Sequence, residues 1–439
     1  MRLTRFPLSI FTALALAGCA ATTTPQAPGA SASDYVMTVL TPDPSLSDAQ
    51  LSARYGGTLL TRTPNFALLR VAGGTLRSAS FANDLRVVVE PNKDVFSVPT
   101  FSSSGTVGLW GSGTVGLWGS GTVGLWGSGT VGLWGSGTVG LWGSGIGASA
   151  ANTLNYAEYT SIGLGDAQTR IAAQGLTPGA GVTIAVLDTG LDLGHSAFAG
   201  HLSPTNTWKD FVDQDNLPQD QGTMGTGAVG HGTEVAGLSL TVSPGAHLMP
   251  LRVLDEQGRG DVDNLTQAIV WAADHGANII NLSLGAATAV EAVTQAIAYA
   301  NSRGVVVVAS AGNQGHEGLD YPAAEFGLTS SNLAVGSVTH AGTKSVFSQY
   351  GPLTVLAPGE GLVGPAPQGQ AAAWSGTSMS TPLVAGSVAL AMTHVPARSA
   401  ADSADRLKAT AQDLGGVSGN ANYTGKLGVG RIDLDALTR

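Results

Sequence analysis

The residue types that could perform nucleophilic chemistry begin with a serine at a predicted helix start. Ser378 lies in the segment SGTSMSTP (375–382), which an apolar run follows. Small neighbours allow a substrate backbone to approach closely, and a helix start supplies free N–H groups and a positive dipole. Pro382 fits the first turn of a helix, where its missing N–H is not needed. Taken alone, Ser378 is better explained as a helix cap.

Two upstream segments change that interpretation. The segment VTIAVLDTG (182–190) predicts a buried parallel strand that ends at Asp188, and ligands of open α/β sheets bind at such strand ends. His231 lies in GHGTEVAG (230–237), between two glycines at the start of a helix-like run. Asp188, His231 and Ser378 therefore supply an orienting group, a base and a nucleophile, each at the end of an element.

At these residues the chain resembles the subtilisin-like serine proteases (subtilases, peptidase family S8), over about residues 150–439. The order Asp, His, Ser agrees with that family, and no GxSxG motif of the lipase and esterase type occurs. The resemblance implies that His231 takes the proton of the Ser378 hydroxyl as an acyl-enzyme forms. It also implies that Asp188 holds the imidazole in the required tautomer.

An oxyanion donor is predicted in the segment ASAGN (309–313), which follows a strand-like run. Asn313 matches the oxyanion-hole asparagine of the family, with the backbone N–H of Ser378 as the second donor. The alternative is a turn residue in GNQG. With the other three residues present, the catalytic interpretation is favoured.

Glu234 departs from the family pattern, because many relatives have a second histidine there. It follows His231 by three residues, a helical spacing that places both side chains on one side. It would then perturb the field at His231, but a tolerated residue, either behind the site residues or solvated, is the simpler interpretation.

Substrate binding is predicted at Ser283, Leu284 and Gly285, which end the strand-like run 277–284. The resemblance implies that this edge pairs with the backbone of an extended peptide. Because backbone pairing is indifferent to side chains, broad endopeptidase specificity is expected. The small residues of 309–312 suggest a hydrophobic preference at the residue before the scissile bond.

The rest of this segment alternates strands and helices, which predicts an α/β fold with a doubly wound, mostly parallel sheet. The further predicted strands are 246–254, 305–309, 333–338 and 353–356, and the predicted helices are 262–275 and 290–303.

Metal binding is left open by the sequence. Acidic residues crowd one loop and flank Val262, and hard oxygen ligands at such spacing could hold a structural calcium ion. These residues are Asp210, Asp213, Asp215, Asp220, Asp261 and Asp263. A solvated acidic loop is the favoured alternative. The chemistry itself requires no cofactor, and a net charge of −10 argues against nucleic acid as a partner.

The first residues predict export. Arg2 and Arg5 precede the apolar stretch 6–17, a signal-peptide layout too short to span a membrane. The stretch ends in LAGC, which resembles a bacterial lipobox, and Cys19 is the single cysteine of the 439 residues. A buried structural cysteine is the alternative. The resemblance gives Cys19 acyl chains that anchor the protein to a membrane.

Residues 34–100 form a separate predicted unit of three strands and one helix, with strands at 35–40, 66–71 and 85–90 and the helix at 48–55. This pattern resembles the inhibitory propeptide of subtilisin-like proteases, which would make it the chain's own inhibitor. An unrelated small binding domain is the alternative.

The octapeptide GTVGLWGS occurs five times between residues 105 and 144. Its glycine and serine content predicts a flexible linker over 101–149. Its Val, Leu and Trp instead permit a stacked β structure or the presentation of aromatic rings to a membrane or cell-surface polymer. Periodicity does not separate these alternatives.

Two function classes follow. The first is a secreted, lipid-anchored serine endopeptidase made as a self-processing zymogen, with a signal peptide (1–18), a tether (19–33), a propeptide (34–100), a repeat linker (101–149) and a catalytic domain (150–439). The second is a surface adhesion or scaffold protein with an inert protease fold. For the first class we expect anchoring outside the cytoplasmic membrane or in the outer membrane. Self-cleavage between about residues 99 and 152 would then release the enzyme.

Overall fold

The computed structural model describes residues 35–72, 84–98, 154–328, 330–394 and 397–439. It also describes the backbone of five short strands between residues 107 and 142. The predicted signal peptide, the tether and Cys19 lie outside the described residues. In the part that is described, no helix has both the length and the apolar character needed to cross a membrane.

The N-terminal unit is a four-stranded antiparallel sheet with one helix. Its elements are β1 (Tyr35–Leu40), α1 (Asp48–Tyr55), β2 (Thr58–Arg62), β3 (Phe66–Val71) and β4 (Val87–Pro91), in the sheet order β2-β3-β1-β4. Helix α1 begins at a capping box, in which Ser47 and Gln50 satisfy each other's backbone N–H groups. The predicted helix and strands are present, and β2 is a strand that the sequence analysis did not predict.

The segment after β4 leads into the repeats. It contains β5 (Phe96–Ser97), β6 (Val107–Gly108), β7 (Val115–Trp118), β8 (Val123–Gly124), β9 (Val131–Trp134) and β10 (Gly140–Trp142). Strands β6 and β8 pair in parallel, as do β7 and β9, so equivalent residues two octapeptides apart lie opposite each other. Such pairing is the kind that an even repeat period permits.

The large unit begins with α2 (Tyr156–Ser161), α3 (Leu164–Ala173) and β11 (Thr183–Asp188). Strands β12 (Lys209–Asp210), β13 (His247–Arg252), β14 (Arg259–Gly260), β15 (Ile279–Leu282), β16 (Val306–Ser310), β17 (Leu333–Val338), β18 (Val355–Pro358), β19 (Leu362–Ala366) and β20 (Gln370–Trp374) follow. The remaining helices are α4 (His231–Val242), α5 (Val262–Asp274), α6 (Glu291–Ser302), α7 (Thr377–Thr393), α8 (Ala400–Ala409) and α9 (Leu434–Leu437).

Seven of these strands form one parallel sheet in the order β12-β13-β11-β15-β16-β17-β18. Alternate residues of each strand face opposite layers of helices. In β11, Ile184 and Val186 belong to the core that contains α4 and α7, whereas Ala185 and Leu187 belong to the core that contains α5 and α6. This alternation places helices on both faces, as expected for a doubly wound sheet.

Strands β19 and β20 form an antiparallel hairpin outside this sheet, and β10 of the last repeat pairs with β20. The hairpin was not predicted, because its sequences LVGPA and QAAAW are short and rich in small residues. Strand β20 leads directly into α7. The carboxyl ends of the parallel strands lie at one edge of the sheet. The predicted site residues lie at this edge.

Candidate active site

Asp188 is the last residue of β11 and is 1% exposed. Its Oδ1 atom accepts the backbone N–H of Thr189 at 2.7 Å and lies 2.7 Å from His231 Nδ1. Since both nitrogens reach the same oxygen, the carboxylate is held at the strand end and fixes the orientation of the ring.

His231 is the first residue of α4, and glycines precede and follow it at this helix start. Gly230 has φ +94°, a left-handed conformation that other residues rarely adopt. A Cβ atom at Gly232 would collide with the carbonyl oxygen of Gly190 and lie 3.0 Å from the Asp188 Cβ. Only glycine therefore lets the helix approach β11 closely enough for the Asp188–His231 hydrogen bond.

The second ring nitrogen of His231, Nε2, forms no hydrogen bond within the described part of the chain. The ring is buried and meets the indole of Trp374 edge to face, with centroids 5.4 Å apart. An imidazole that is held at Nδ1 and unbonded at Nε2 is able to accept a proton from a hydroxyl group.

Ser378 is the second residue of α7. Gly376, immediately before the helix, has φ +152° and turns the chain sharply from β20 into the helix. The Ser378 hydroxyl donates to the carbonyl of Ser283 at 3.2 Å, and the Ser283 hydroxyl donates to the carbonyl of Ser378 at 2.8 Å. This reciprocal pair fixes the helix start beside the predicted substrate edge. In this arrangement the hydroxyl is hydrogen-bonded to Ser283 and not to His231 Nε2.

The amide of Asn313 is oriented by the same helix start. Its Oδ1 accepts the backbone N–H of Thr377 at 2.8 Å and the Thr377 hydroxyl at 2.9 Å. The Nδ2 atom therefore points the other way, where it lies 3.0 Å from the position of a Cβ at Gly376. With the backbone N–H of Ser378 at the helix start, this arrangement offers two donors to a developing oxyanion.

Asp220 is a buried carboxyl beside this group that the sequence analysis assigned to an acidic loop. It accepts the backbone N–H of Gly230 at 3.0 Å and the hydroxyl of Thr233 at 2.7 Å, one residue before and two after His231. Burial raises the pKa of Asp220 to about 7, against the effect of these hydrogen bonds, and the Asp188 charge adds to the rise. Asp220 therefore positions the start of α4.

The remaining acidic residues have protein partners. Asp210 and Asp213 both pair with Arg252, at 2.9 and 2.8 Å. Asp263 accepts Arg70, and Asp261 accepts the backbone N–H of Asp94 at 3.0 Å. Among the described residues no group of three His, Cys, Asp or Glu is arranged to hold a metal ion. Asp210 and Asp220 are buried whereas Asp213 and Asp215 are exposed, so the loop is solvated in part, and Arg252 ties it through Asp210 and Asp213.

Glu234 is fully buried on the side of α4 that faces the β19–β20 hairpin, which excludes the solvated alternative. Its side chain packs against Gly364, where an added Cβ would lie 2.7 Å from the Glu234 Cγ. Burial raises the pKa of Glu234 well above its usual range, and the backbone N–H of Trp374 opposes this only in part. No cationic side chain of the described residues forms a salt bridge with it.

The predicted substrate edge is occupied by the chain's own residues. Ser97 and Gly285 exchange two backbone hydrogen bonds of 3.0 Å, and the Val98 N–H donates to the carbonyl of Gly258 at 2.9 Å. Strand β5 therefore lies between two edges, 283–285 and β14 with its neighbour Gly258. The sequence analysis missed the second edge, whose only signal is the pair of glycines at 258 and 260.

Comparison with known proteins places this geometry in a family. Residues 179–430 match the model of the subtilase family, peptidase S8. Thermitase of Thermoactinomyces vulgaris is 36% identical over 269 residues, which cover 59% of this chain and 88% of thermitase. Subtilisin BL of Lederbergia lenta is 36% identical over 280 residues, covering 61% of this chain and 93% of that protein.

Solved structures agree. The S41 psychrophilic protease is 30% identical, with a TM-score of 0.51 over 58% of this chain and 92% of that chain. A cold adapted subtilisin-like serine proteinase is 27% identical, with a TM-score of 0.50 over 60% of this chain and 91% of that chain. The chain therefore belongs to the subtilase family and is a subtilisin-like serine endopeptidase.

Proposed function

We propose that the protein is an exported, lipid-anchored zymogen whose catalytic domain hydrolyses proteins through Asp188, His231 and Ser378. The observation that carries this proposal is an extended segment of the chain itself, seated in the cleft that leads to Ser378. Family membership and the buried Asp188–His231 hydrogen bond support an active enzyme, and they do not favour an inert adhesion protein.

The chemistry follows from the groups at the cleft. The Ser378 Oγ attacks the scissile carbonyl carbon while its proton passes to His231 Nε2, and Asp188 stabilises the imidazolium. The oxyanion receives hydrogen bonds from Asn313 Nδ2 and the Ser378 N–H. The intermediate collapses as His231 protonates the leaving amine, and a water molecule then hydrolyses the acyl-enzyme by the same steps. No metal or cofactor takes part in these steps, and a structural calcium ion at the acidic residues stays a prediction.

The N-terminal unit (34–100) acts as the inhibitor in this proposal. Three polar contacts support docking onto the catalytic domain. The Glu90 carboxylate accepts the N–H groups of Glu291 and Ala292 at 2.8 and 3.2 Å, at the positive end of α6. The Arg70 guanidinium pairs with the buried Asp263 carboxylate. The Asn92 side chain accepts the N–H of Asp263 at 2.9 Å, at the start of α5.

The pairing register supports a position for the proposed self-cleavage. Ser97 lies opposite Gly285 in an antiparallel pair. Continuing that register by two residues brings position 99 opposite Ser283, whose carbonyl accepts the Ser378 hydroxyl. The carbonyl attacked by Ser378 would then belong to Pro99, and the mature enzyme would begin at Thr100. Both residues lie outside the described part, so the register alone supports this assignment.

The order of segments then determines what is released. The predicted lipid anchor at Cys19 and the inhibitor both precede position 99, whereas the repeats (101–149) follow it. Cleavage there would leave the inhibitor on the membrane and carry the repeats with the catalytic domain (150–439). The pairing of β10 with β20 supports retention of the repeats after cleavage.

Two measurements on the full chain test the proposal. We expect casein hydrolysis by the processed protein, and none by a Ser378→Ala variant, which should stay as one uncut chain. We also expect a soluble active form whose N-terminal sequence begins near residue 100, while labelled Cys19 stays with the membrane. Equal activity in both proteins would refute the mechanism. A membrane-bound active enzyme that retains Cys19 would refute release.

A further inference from the structure

A slot runs beside the position of the scissile bond, and two neighbouring strands build its walls. Strands β15 and β16 pair in parallel, with Leu282 opposite Ala309. The segments that continue them, 283–285 and 310–313, therefore run side by side at the edge of the sheet. The first pairs with the bound segment and the second carries Asn313. A substrate residue that lies opposite Ser283 must place its side chain between these two walls.

Asp320 closes the far end of this slot. Its backbone N–H donates to the carbonyl of Ala311 at 2.9 Å, which ties it to one wall. The next residue, Tyr321, exchanges two backbone hydrogen bonds of 2.8 and 2.9 Å with Ala286, which ties it to the other wall. Because these backbone hydrogen bonds tie Asp320 to one wall and Tyr321 to the other, the Asp320 carboxyl is held between the two walls.

Each wall has a glycine where it contacts this carboxyl, so no side chain of either wall covers the carboxyl there. A Cβ at Gly285 would lie 2.9 Å from the Asp320 Cβ and 3.4 Å from its Oδ2. A Cβ at Gly312 would lie 2.5 Å from the same Oδ2 and would collide with the Oε1 of Gln349. The backbone of each wall thus meets the carboxyl directly.

Gln349 orients this carboxyl. Its side chain is fully buried, and its Nε2 donates to the carbonyl of Gly318 at 2.9 Å and to Asp320 Oδ1 at 3.2 Å. The Gln349 Oε1 atom is buried beside Gly312, whereas Asp320 is partly exposed. Asp320 Oδ2 accepts no hydrogen bond from the described part of the chain. A carboxylate oxygen held in this way is suited to an ammonium or guanidinium group.

We propose that Asp320, assisted by Gln349, binds the side chain of the substrate residue before the scissile bond and selects lysine or arginine there. This assignment rests on the proposed function, because it takes the residue opposite Ser283 as the acyl donor. It departs from the hydrophobic preference that the small residues of 309–312 suggest, because the charge comes from Asp320, which lies outside that segment. Burial raises the pKa of Asp320 against the effects of the Gln349 hydrogen bond and of the nearby His316, and a substrate cation would add a direct ionic partner.

The direct test uses the processed enzyme and peptides that differ only at the residue before the scissile bond. We expect kcat/KM to be at least about tenfold higher for lysine or arginine than for leucine, a difference that one desolvated charge pair readily supplies. In Asp320→Asn the preference for lysine and arginine over leucine should disappear. Glu317→Gln is the matched control, since Glu317 is 56% exposed, lies on the same loop and pairs with Lys426. It should keep the preference.

A second test leaves the slot intact and covers the case in which Asp320→Asn does not fold. In the full chain, Pro99→Lys and Pro99→Leu both restore a backbone N–H, so their difference isolates the side-chain charge. We expect the lysine variant to process itself several-fold faster. Equal use of lysine and leucine in both tests, or a preference that survives Asp320→Asn, would overturn the assignment. Failure to hydrolyse any peptide would instead overturn the proposed function, and this assignment with it.

Discussion

The catalytic sheet and the small N-terminal sheet cover their apolar faces differently. The seven-stranded sheet is enclosed by its own helices on both faces. In the N-terminal sheet, Met37, Val39 and Leu69 pack with α1, but Val36, Phe66 and Leu68 belong to the core of α5 and α6. The catalytic unit thus buries both faces of its sheet with its own helices, whereas one face of the N-terminal sheet is buried only by packing against the catalytic unit.

This difference has a consequence for regulation. A unit whose sheet face is buried only against its partner is stable while it is docked. Cleavage of the connecting chain then leaves it held only by noncovalent contacts. The catalytic unit loses no core residues of its own when the N-terminal unit departs. The proposed zymogen therefore requires no rearrangement of the parallel sheet on activation.

The largest effect is expected from a change that affects the chemistry and leaves both cores intact. Asn313→Ala removes the amide that faces the oxyanion, and we expect kcat to fall by about 10²–10³ with little change in KM. Steady-state kinetics on a peptide substrate measures this. The Asn313→Ala chain should still hold its N-terminal unit docked. A loss confined to KM would place Asn313 in substrate binding instead.

A smaller effect is expected at the contact between the N-terminal and catalytic units. Arg70→Ala leaves Asp263, whose side chain is 1% exposed, without its partner. We expect retention of the cleaved N-terminal unit to weaken by about tenfold, since Arg70 is itself partly exposed. The lag between self-cleavage and full peptidase activity should shorten accordingly. Arg62→Ala is the control, because Arg62 pairs with Asp48 inside the N-terminal unit. An equal lag in both variants would contradict the docking role of Arg70.

The smallest effect is expected from Glu234, a buried acid in the core of the catalytic unit. Its pKa in the folded state is raised above the unfolded value. The stabilisation that its protonated form gives to the folded state is therefore complete below about pH 4.3. This stabilisation is lost as the pH rises through the pKa of the folded state. Glu234→Gln does not titrate, so its stability relative to the parent should increase with pH, by about 1 kcal/mol or more at pH 8.

Urea unfolding from pH 4 to 9, in a Ser378→Ala background that prevents self-digestion, measures this difference. Glu256→Gln, at an exposed position, is the control and should follow the parent at every pH. Parallel pH curves for Glu234→Gln and its parent would show that Glu234 has no raised pKa.

Much of the fold follows from local pattern. The strand predicted over 182–188 and the helix predicted over 262–275 are confirmed, as β11 and α5. Membership of the subtilase family and endopeptidase class is confirmed as well. The roles of Asp188, His231, Ser378 and Asn313 stay predictions, although the structure brings all four to one edge of the sheet. The burial of Glu234 escaped prediction, because the hairpin that covers it has no distinctive sequence pattern.

The sequence by itself determined which chemical groups are present and in what local setting. Glycines flank His231, small residues surround Ser378, and Asp188 ends an apolar strand, all of which depend on near neighbours in the chain. Tertiary structure alone decided that residues 96–98 lie in the cleft, that Asp220 positions α4 and that Asp320 closes the slot. The contacts of residues 96–98 join segments far apart in the chain, whereas Asp220 and Asp320 lie on irregular loops. Packing against the sheet selects the course of those loops, so no local pattern records either kind of contact.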